Sequence, residues 1–531
     1  MRLVRTATAA GAATLLTAVL TAGLTGCGAE LGGFGFGDDS AALGDPIRIG
    51  TTDKVTSLDP AGAYDAGSWA LIGSLHQSLL TFAPGSSEPV TDAAETCNFT
   101  SRELLAYRCT LTSGLTFSDG TPLTAADVVF SFRRTLRIKA PTGPASLLAN
   151  LRSVEARGAT VTFKLRTPDA TWPYKIAGGA GAIVSREHYE PGKLRTGGGV
   201  TGSGPYELRD YGRGRSAELV RNGTYRGALK VRNKAVTVRY YGTPDRLAAA
   251  WQDRSVDVVS RDLPPMDYQG LDAAAPSQDG VRVFAGPGTS TRSLVFSLRD
   301  SSPMSEPAVR QAVAAIVDRQ ALAGEARMHT VDPLYSLIPR GIVGHSTAFA
   351  DRWEKPDPGA ARRLLAEAGV ATPVSFTLGY DSGGGHRRET EQLVAQLERT
   401  GLFRVGLKPV PWEKFTAQAF GGGFDAFTLG WLPDFPDPDT YVASAVSAQN
   451  AYRNGYRNDE VTRLIRATQQ ESDRAGAVAD FKAIDRAVAR DAPVLPLWQA
   501  KDYTLATDRI SGIEGLVDAS GAWRIWELGR D

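Results

Sequence analysis

Residues 430–441 read GWLPDFPDPDTY and crowd one tryptophan, two other aromatics, three prolines and three aspartates into twelve positions. Pro433, Pro436 and Pro438 restrict the backbone and remove amide donors, so Asp434 is expected to be held stiffly before any partner arrives. Trp431 and Phe435 offer flat walls that lose little entropy on contact. A carboxylate fixed among such walls could neutralise an ammonium group, because a charge buried without a partner is costly. Asp437, next to Pro438, reads as a turn cap. On the residues alone, a proline-stiffened surface turn around a core tryptophan is the stronger alternative.

Other side chains suit the opposite end of such a ligand. Arg387 and Arg388 follow YDSGGGH at the expected start of a helix, where either could grip a carboxylate with a two-pronged fork or simply be solvated. Trp412 and Trp498 could wall a cleft or belong to the core. Tyr64, shortly after LDP (58–60), could reach a cleft from the N-terminal part of the chain. His76, His188, His329, His345 and His386 are scattered at no local metal-ligand spacing, so no metal site is expected.

Enzyme motifs are absent: there is no H-E-x-x-H, no G-x-S-x-G elbow and no G-x-x-x-x-G-K-[ST] phosphate loop. GGGVTG at 197–202 satisfies G-x-G-x-x-G but leads into the strand-like SGPYEL, whereas a dinucleotide site needs a helix there. Neither catalysis nor a cofactor is expected. With 59 basic against 58 acidic residues the formal charge is +1, which leaves no field to hold nucleic acid.

The elements that must position these side chains mix α and β without a fixed repeat. PIRIGTT (46–52), TVTFKL (160–165), AVTVRYY (235–241) and VSFTLGY (374–380) alternate as strands do. Thr124 and Asp127 form a capping-box pattern ahead of a helix. A second helix is expected with Ser305 as cap and Pro307 in its first turn, and a third with Asp357 as cap, Pro358 first and Gly369 as terminator. Cys97 and Cys109 flank a strand–turn–strand pattern, and a disulfide clipping that hairpin is the default in an exported chain.

Export is indicated at the N-terminus. Arg2 and Arg5 precede an apolar run from Ala7 to Ala22, and Leu24-Thr25-Gly26-Cys27 resembles a lipobox, in which cleavage precedes a lipidated cysteine. Residues 1–26 are thus expected to be a signal peptide, and glycine-rich, acidic 27–45 a flexible tether. The alternative is an uncleaved membrane helix.

The order SLDP (57–60), LHQSLLTF (75–82), LTFSDGTPLTAADVVFSF, GSGPYEL (202–208), RNGTYRG (221–227), VRQAVAAIVDRQAL (309–322), PDPGAARRLLAEAGV, FDAFTLGWLPDFPDPDTY (424–441) and LPLWQAKDY (495–503) resembles one family along its length. It is that of the family 5 solute-binding lipoproteins of ATP-driven importers, which include oligopeptide-, dipeptide- and nickel-binding proteins. The resemblance implies an α/β, two-lobed, periplasmic-binding-protein-like receptor closing on its ligand. Lobe I would hold 46–285 and 498–531, with an extra subdomain over about 83–200, and lobe II 286–497; AGPGTSTRS (285–293) has the glycines for a hinge. It implies that Asp434, three residues after Trp431, takes a peptide's amino end. It further implies a monomer on the outer face of the cytoplasmic membrane, anchored through Cys27 and serving permease and ATPase partners. A nickel chelate, haem, a sugar or an opine as ligand, or a sensing role without transport, stays open because one scaffold serves many ligands.

Overall fold

The computed structural model describes residues 45–531 apart from 84, 262, 269–279, 384 and 519. The export-signal segment, Cys27 and all of the tether except Asp45 lie outside the described residues. Among the described residues, no helix is long and apolar enough to cross a membrane.

An eleven-stranded mixed sheet forms the frame. Its central pair, Val281–Phe296 and Val494–Thr507, is antiparallel, and at 16 and 14 residues these strands are long enough to serve both ends of the sheet. Beyond the first lie Ala426–Trp431, Val374–Asp381 and Phe403–Val410. Beyond the second lie Val258–Ser260, Ile47–Thr51, Ala235–Tyr240, Ser216–Arg221 and Tyr206–Gly212, and the short Val331–Pro333 also pairs with it. The alternation in the sequence is physical: Ile47 and Ile49 are buried and pair in parallel register with Val236 and Val238.

Three large apolar cores pack on this frame. The largest spans residues from Leu294 to Trp498, a second packs Ile47 and Ile49 with Trp523, Ile525 and Trp526, and a third fills a four-stranded sheet over 94–165 and its helix. That helix, Ala125–Ile138, starts at the Thr124–Asp127 capping box. In the same sheet a disulfide joins Cys97 to Cys109, which face each other across Ala94–Phe99 and Ala106–Leu111.

One local expectation needs correction. The helix Pro307–Ile316 is capped by Glu306, whose side chain accepts from the Ala308 amide, because Ser302 and Pro303 first make a separate 3-10 turn ending at Ser305. By contrast, the helix Pro358–Glu367 has Asp357 as its cap, and Gly369 follows with φ +68°. The glycine-bearing 285–293 lies within a strand, with a register shift between Pro287 and Thr291. Gly288 is needed there for close approach: a Cβ would meet the Ala500 carbonyl oxygen at 2.8 Å.

Candidate functional site

The 430–441 stretch leaves the sheet at Trp431 and enters the helix Asp439–Val446, so its prolines fill a short bend between two fixed elements. Trp431 meets Tyr452 edge-on at 6.2 Å. Phe435 is buried in the core of the four-stranded unit, 6.4 Å from Tyr174, with the Lys175 ammonium 6.0 Å from its ring centre. The bend is therefore pinned to the 169–177 region, where Ala170 also donates to the Gln469 carbonyl at 2.8 Å.

Asp437 anchors the bend and is the turn cap that its place before Pro438 suggests. It is buried and takes Arg474 in a two-pronged pair, Nε at 2.6 Å and Nη2 at 2.9 Å, while its Oδ1 accepts from the Asp439 amide at 2.8 Å. Asp439 is buried behind it, and burial, opposed by Lys175, pushes its carboxyl up to about 6.

Asp434 sits differently. Its Oδ1 accepts from the Tyr64 hydroxyl. The Thr440 side chain accepts from the Asp434 amide at 3.1 Å and lies 3.5 Å from Oδ2. Both partners are uncharged. Desolvation pushes this carboxyl up to about 6, with the Tyr64 and Thr440 hydrogen bonds and the more distant Lys175 pulling the other way. Burial and the neighbouring Asp434 in turn push the Tyr64 phenol up. A carboxylate in this position gains from any cation brought beside it.

Asp434 lines a cavity of about 70 Å³ together with Trp69, His76, Asp92, Asp518 and the C-terminal Trp523, Arg524 and Trp526. At about 30 Å³ per water the space holds only a few waters, so a larger ligand needs the walls to part. Trp69 can lie there because position 179 is glycine: a Cβ would come within 2.8 Å of the indole. Tyr64 leans on Trp69 with ring centres 5.5 Å apart.

The remaining sequence candidates are not in this lining. Trp431 and Phe435 pack as described, one against Tyr452 and the other into a core. Trp412 is 52% exposed and stacks on Phe415, while Arg387 is exposed and pairs with Glu391 at 2.7 Å. Arg388 is exposed. Trp498 is core, donating to Glu389 at 2.8 Å, with the Arg327 guanidinium 5.0 Å from its ring centre. The C-terminal wall is not anticipated by sequence reasoning, although GAWRIWELG is aromatic-rich. Nor is Arg474, whose partner lies 37 positions away.

The model of bacterial extracellular solute-binding proteins, family 5, matches residues 88–453. The probable D,D-dipeptide-binding periplasmic protein DdpA of Escherichia coli K12 is 25% identical over 481 residues, covering 88% of this chain and 90% of that protein. The periplasmic binding protein DppA of Helicobacter pylori, solved with the peptide STSA, superposes with a TM-score of 0.77 at 19% identity, over 92% of this chain and 98% of that one. AgaA of A. tumefacien R10, solved with agropinic acid, gives 0.74 at 20% identity, over 92% and 99%. The sheet, the cores and the matched region agree on one assignment: the chain is a two-lobed member of the bacterial extracellular solute-binding proteins, family 5.

Proposed function

We propose that this chain captures peptides bearing a free α-amino group between its lobes and delivers them to a membrane permease driven by ATPase subunits. The observation that carries the proposal is Asp434: a cavity carboxylate held by two neutral hydroxyl groups and pushed up to about 6 by desolvation. A ligand ammonium supplies the charge that these partners lack. The relatives named for dipeptides and peptides point the same way. In this reading lobe I comprises 46–285 and 498–531, with the extra subdomain over about 83–200, and lobe II comprises 286–497. The chain acts as a monomer held at the outer face of the cytoplasmic membrane through lipidated Cys27.

Calorimetry with a free dipeptide and its N-acetyl form, on wild type and Asp434→Asn, tests the amine contact as a double-mutant cycle. Removing one member of a buried pair costs about 3–5 kcal/mol, or roughly two to three and a half powers of ten in affinity. The substitution is expected to weaken the free peptide by that order and to change the acetylated one little. Independent, additive losses would refute the contact.

A further inference from the structure

The C-terminal segment builds another part of the cavity wall. Trp523, Arg524 and Trp526 are 3%, 3% and 5% exposed, yet both indole N–H groups and the Arg524 Nε are enclosed with no hydrogen-bond partner among the described residues. The other guanidinium nitrogens are engaged, Nη1 with the Phe82 carbonyl at 2.8 Å and Nη2 with Glu527 at 3.1 Å. The segment is fixed from outside: Arg524 donates its amide to the Leu516 carbonyl at 2.6 Å, and Asn233 donates to the Ile525 and Leu528 carbonyls. Buried donors without acceptors are rare because each one costs free energy. All three belong to residues that line the cavity, and an acceptor oxygen on a ligand would satisfy them.

Charge decides what kind of oxygen. Asp92, Asp434 and Asp518 all line the cavity, and the Arg524 guanidinium in that lining is already matched by Glu527. Asp92 accepts from the Tyr225 hydroxyl and the Ala228 amide, and Asp518 from Ser520 and Ala522, all neutral donors. Burial holds all three carboxyls above their ordinary range, so each is disfavoured further when negative charge is brought near. His76 adds Nε2, which is buried and has no partner among the described residues. Its Nδ1 lies 3.1 Å from the Ile183 carbonyl, which fixes the proton there and leaves Nε2 as a further acceptor.

We propose that the Trp523–Trp526 wall receives a neutral carbonyl oxygen, and that the cavity selects ligands of net positive charge over those placing a free carboxylate against it. This rests on the amine-binding reading of Asp434 and names the chemistry of the ligand's next group. The first peptide carbonyl meets the indole and guanidinium donors; a longer ligand keeps its C-terminal carboxylate outside this cavity, whereas a dipeptide brings it against the cavity carboxyls.

Calorimetry with L-alanyl-L-alaninamide and L-alanyl-L-alanine tests the charge preference on the full mature protein. The amide is expected to bind tighter by about tenfold or more, since bringing like charges together opposes association. Trp526→Phe and Trp523→Phe keep an aromatic ring and delete the donor, and each is expected to weaken the amide about 2–10-fold. That loss should vanish for the analogue whose first peptide bond is replaced by a trans alkene, which removes the carbonyl oxygen without adding a charge, a readout that a merely structural role would not move. Tighter binding of the acid than the amide, Phe variants that both bind the amide within twofold of wild type, or a loss that persists for the alkene analogue overturns the proposal while leaving the amine contact standing. Binding of neither dipeptide overturns both readings.

Discussion

Asp434 and Asp437 stand three residues apart in one proline-bound bend, yet the fold gives them opposite tasks. Asp437 is 1% exposed and closed by a guanidinium that matches its charge and geometry. Asp434 faces a cavity, held by a phenol and a threonine hydroxyl, neither of them charged. One carboxylate is completed within the chain; the other is left for a ligand. Sequence position tells nothing of this, because the difference lies in which distant residue arrives.

The sharpest way to break the contrast is to compare the consequences of removing each charge. Arg474→Met strands Asp437 in the interior and is expected to destabilise the fold by about 3–5 kcal/mol in urea unfolding. Asp437→Asn combined with Arg474→Met removes both charges and should recover part of that loss. Asp434→Asn should leave the unfolding midpoint unchanged or raised, since it deletes a carboxylate that is desolvated among neutral donors. If Asp434→Asn proves the more damaging of the two, Asp434 is the structural residue and the site is elsewhere.

How much of this is legible in the sequence depends on range. Alternation and capping act over a few residues, so the strand Thr160–Leu165 and the Asp357-capped helix stand where the sequence pattern puts them. Ser305 is displaced as a cap by the turn that Pro303 starts just before it. Arg474 cannot be paired with Asp437 in advance, since they stand 37 positions apart with the helices Asp439–Val446 and Asp459–Gln470 between them. The glycines of 285–293 suggest a bending segment, but inside a sheet glycine also admits a neighbouring backbone, and only the partner strand distinguishes the uses. The aromatic C-terminus carries a signal that periodicity arguments pass over.

A smaller effect sharpens the comparison through pH. Asp434 has its carboxyl raised to about 6 from 3.8. Its contribution to ligand-free stability is therefore fully present below the unfolded value and lost as pH rises from there through about 6. Binding runs the other way, because an ammonium ligand needs the ionised carboxylate. Affinity for a free-amine peptide is expected to be flat above about pH 7 and to fall by up to about tenfold per unit below about 6. Asp439 also titrates near 6, so Asp434→Asn is the control. A variant that keeps the same pH dependence would assign it to another buried carboxyl, Asp92, Asp439 or Asp518.

The smallest expected effect isolates Tyr64, which contributes the neutral partner where Asp437 has Arg474. Its single hydrogen bond to Asp434 is worth about 0.5–1.5 kcal/mol. Donating to the ionised carboxylate, it lowers the Asp434 pKa against the dominant pull of desolvation. Tyr64→Phe should therefore move the midpoint of the pH–affinity profile upward and weaken a free-amine peptide at pH 7 by about 2–10-fold. The direction is the discriminating point. If the phenol merely fills the place that the ligand amine later takes, its removal relieves a competitor, and calorimetry will show tighter binding. If it orients and sustains the charged carboxylate, binding weakens and the midpoint climbs together. The Thr440 clamp on the Asp434 amide and opposite oxygen keeps the side chain in place in either case, so a change in affinity reports on the phenol and not on a collapsed loop.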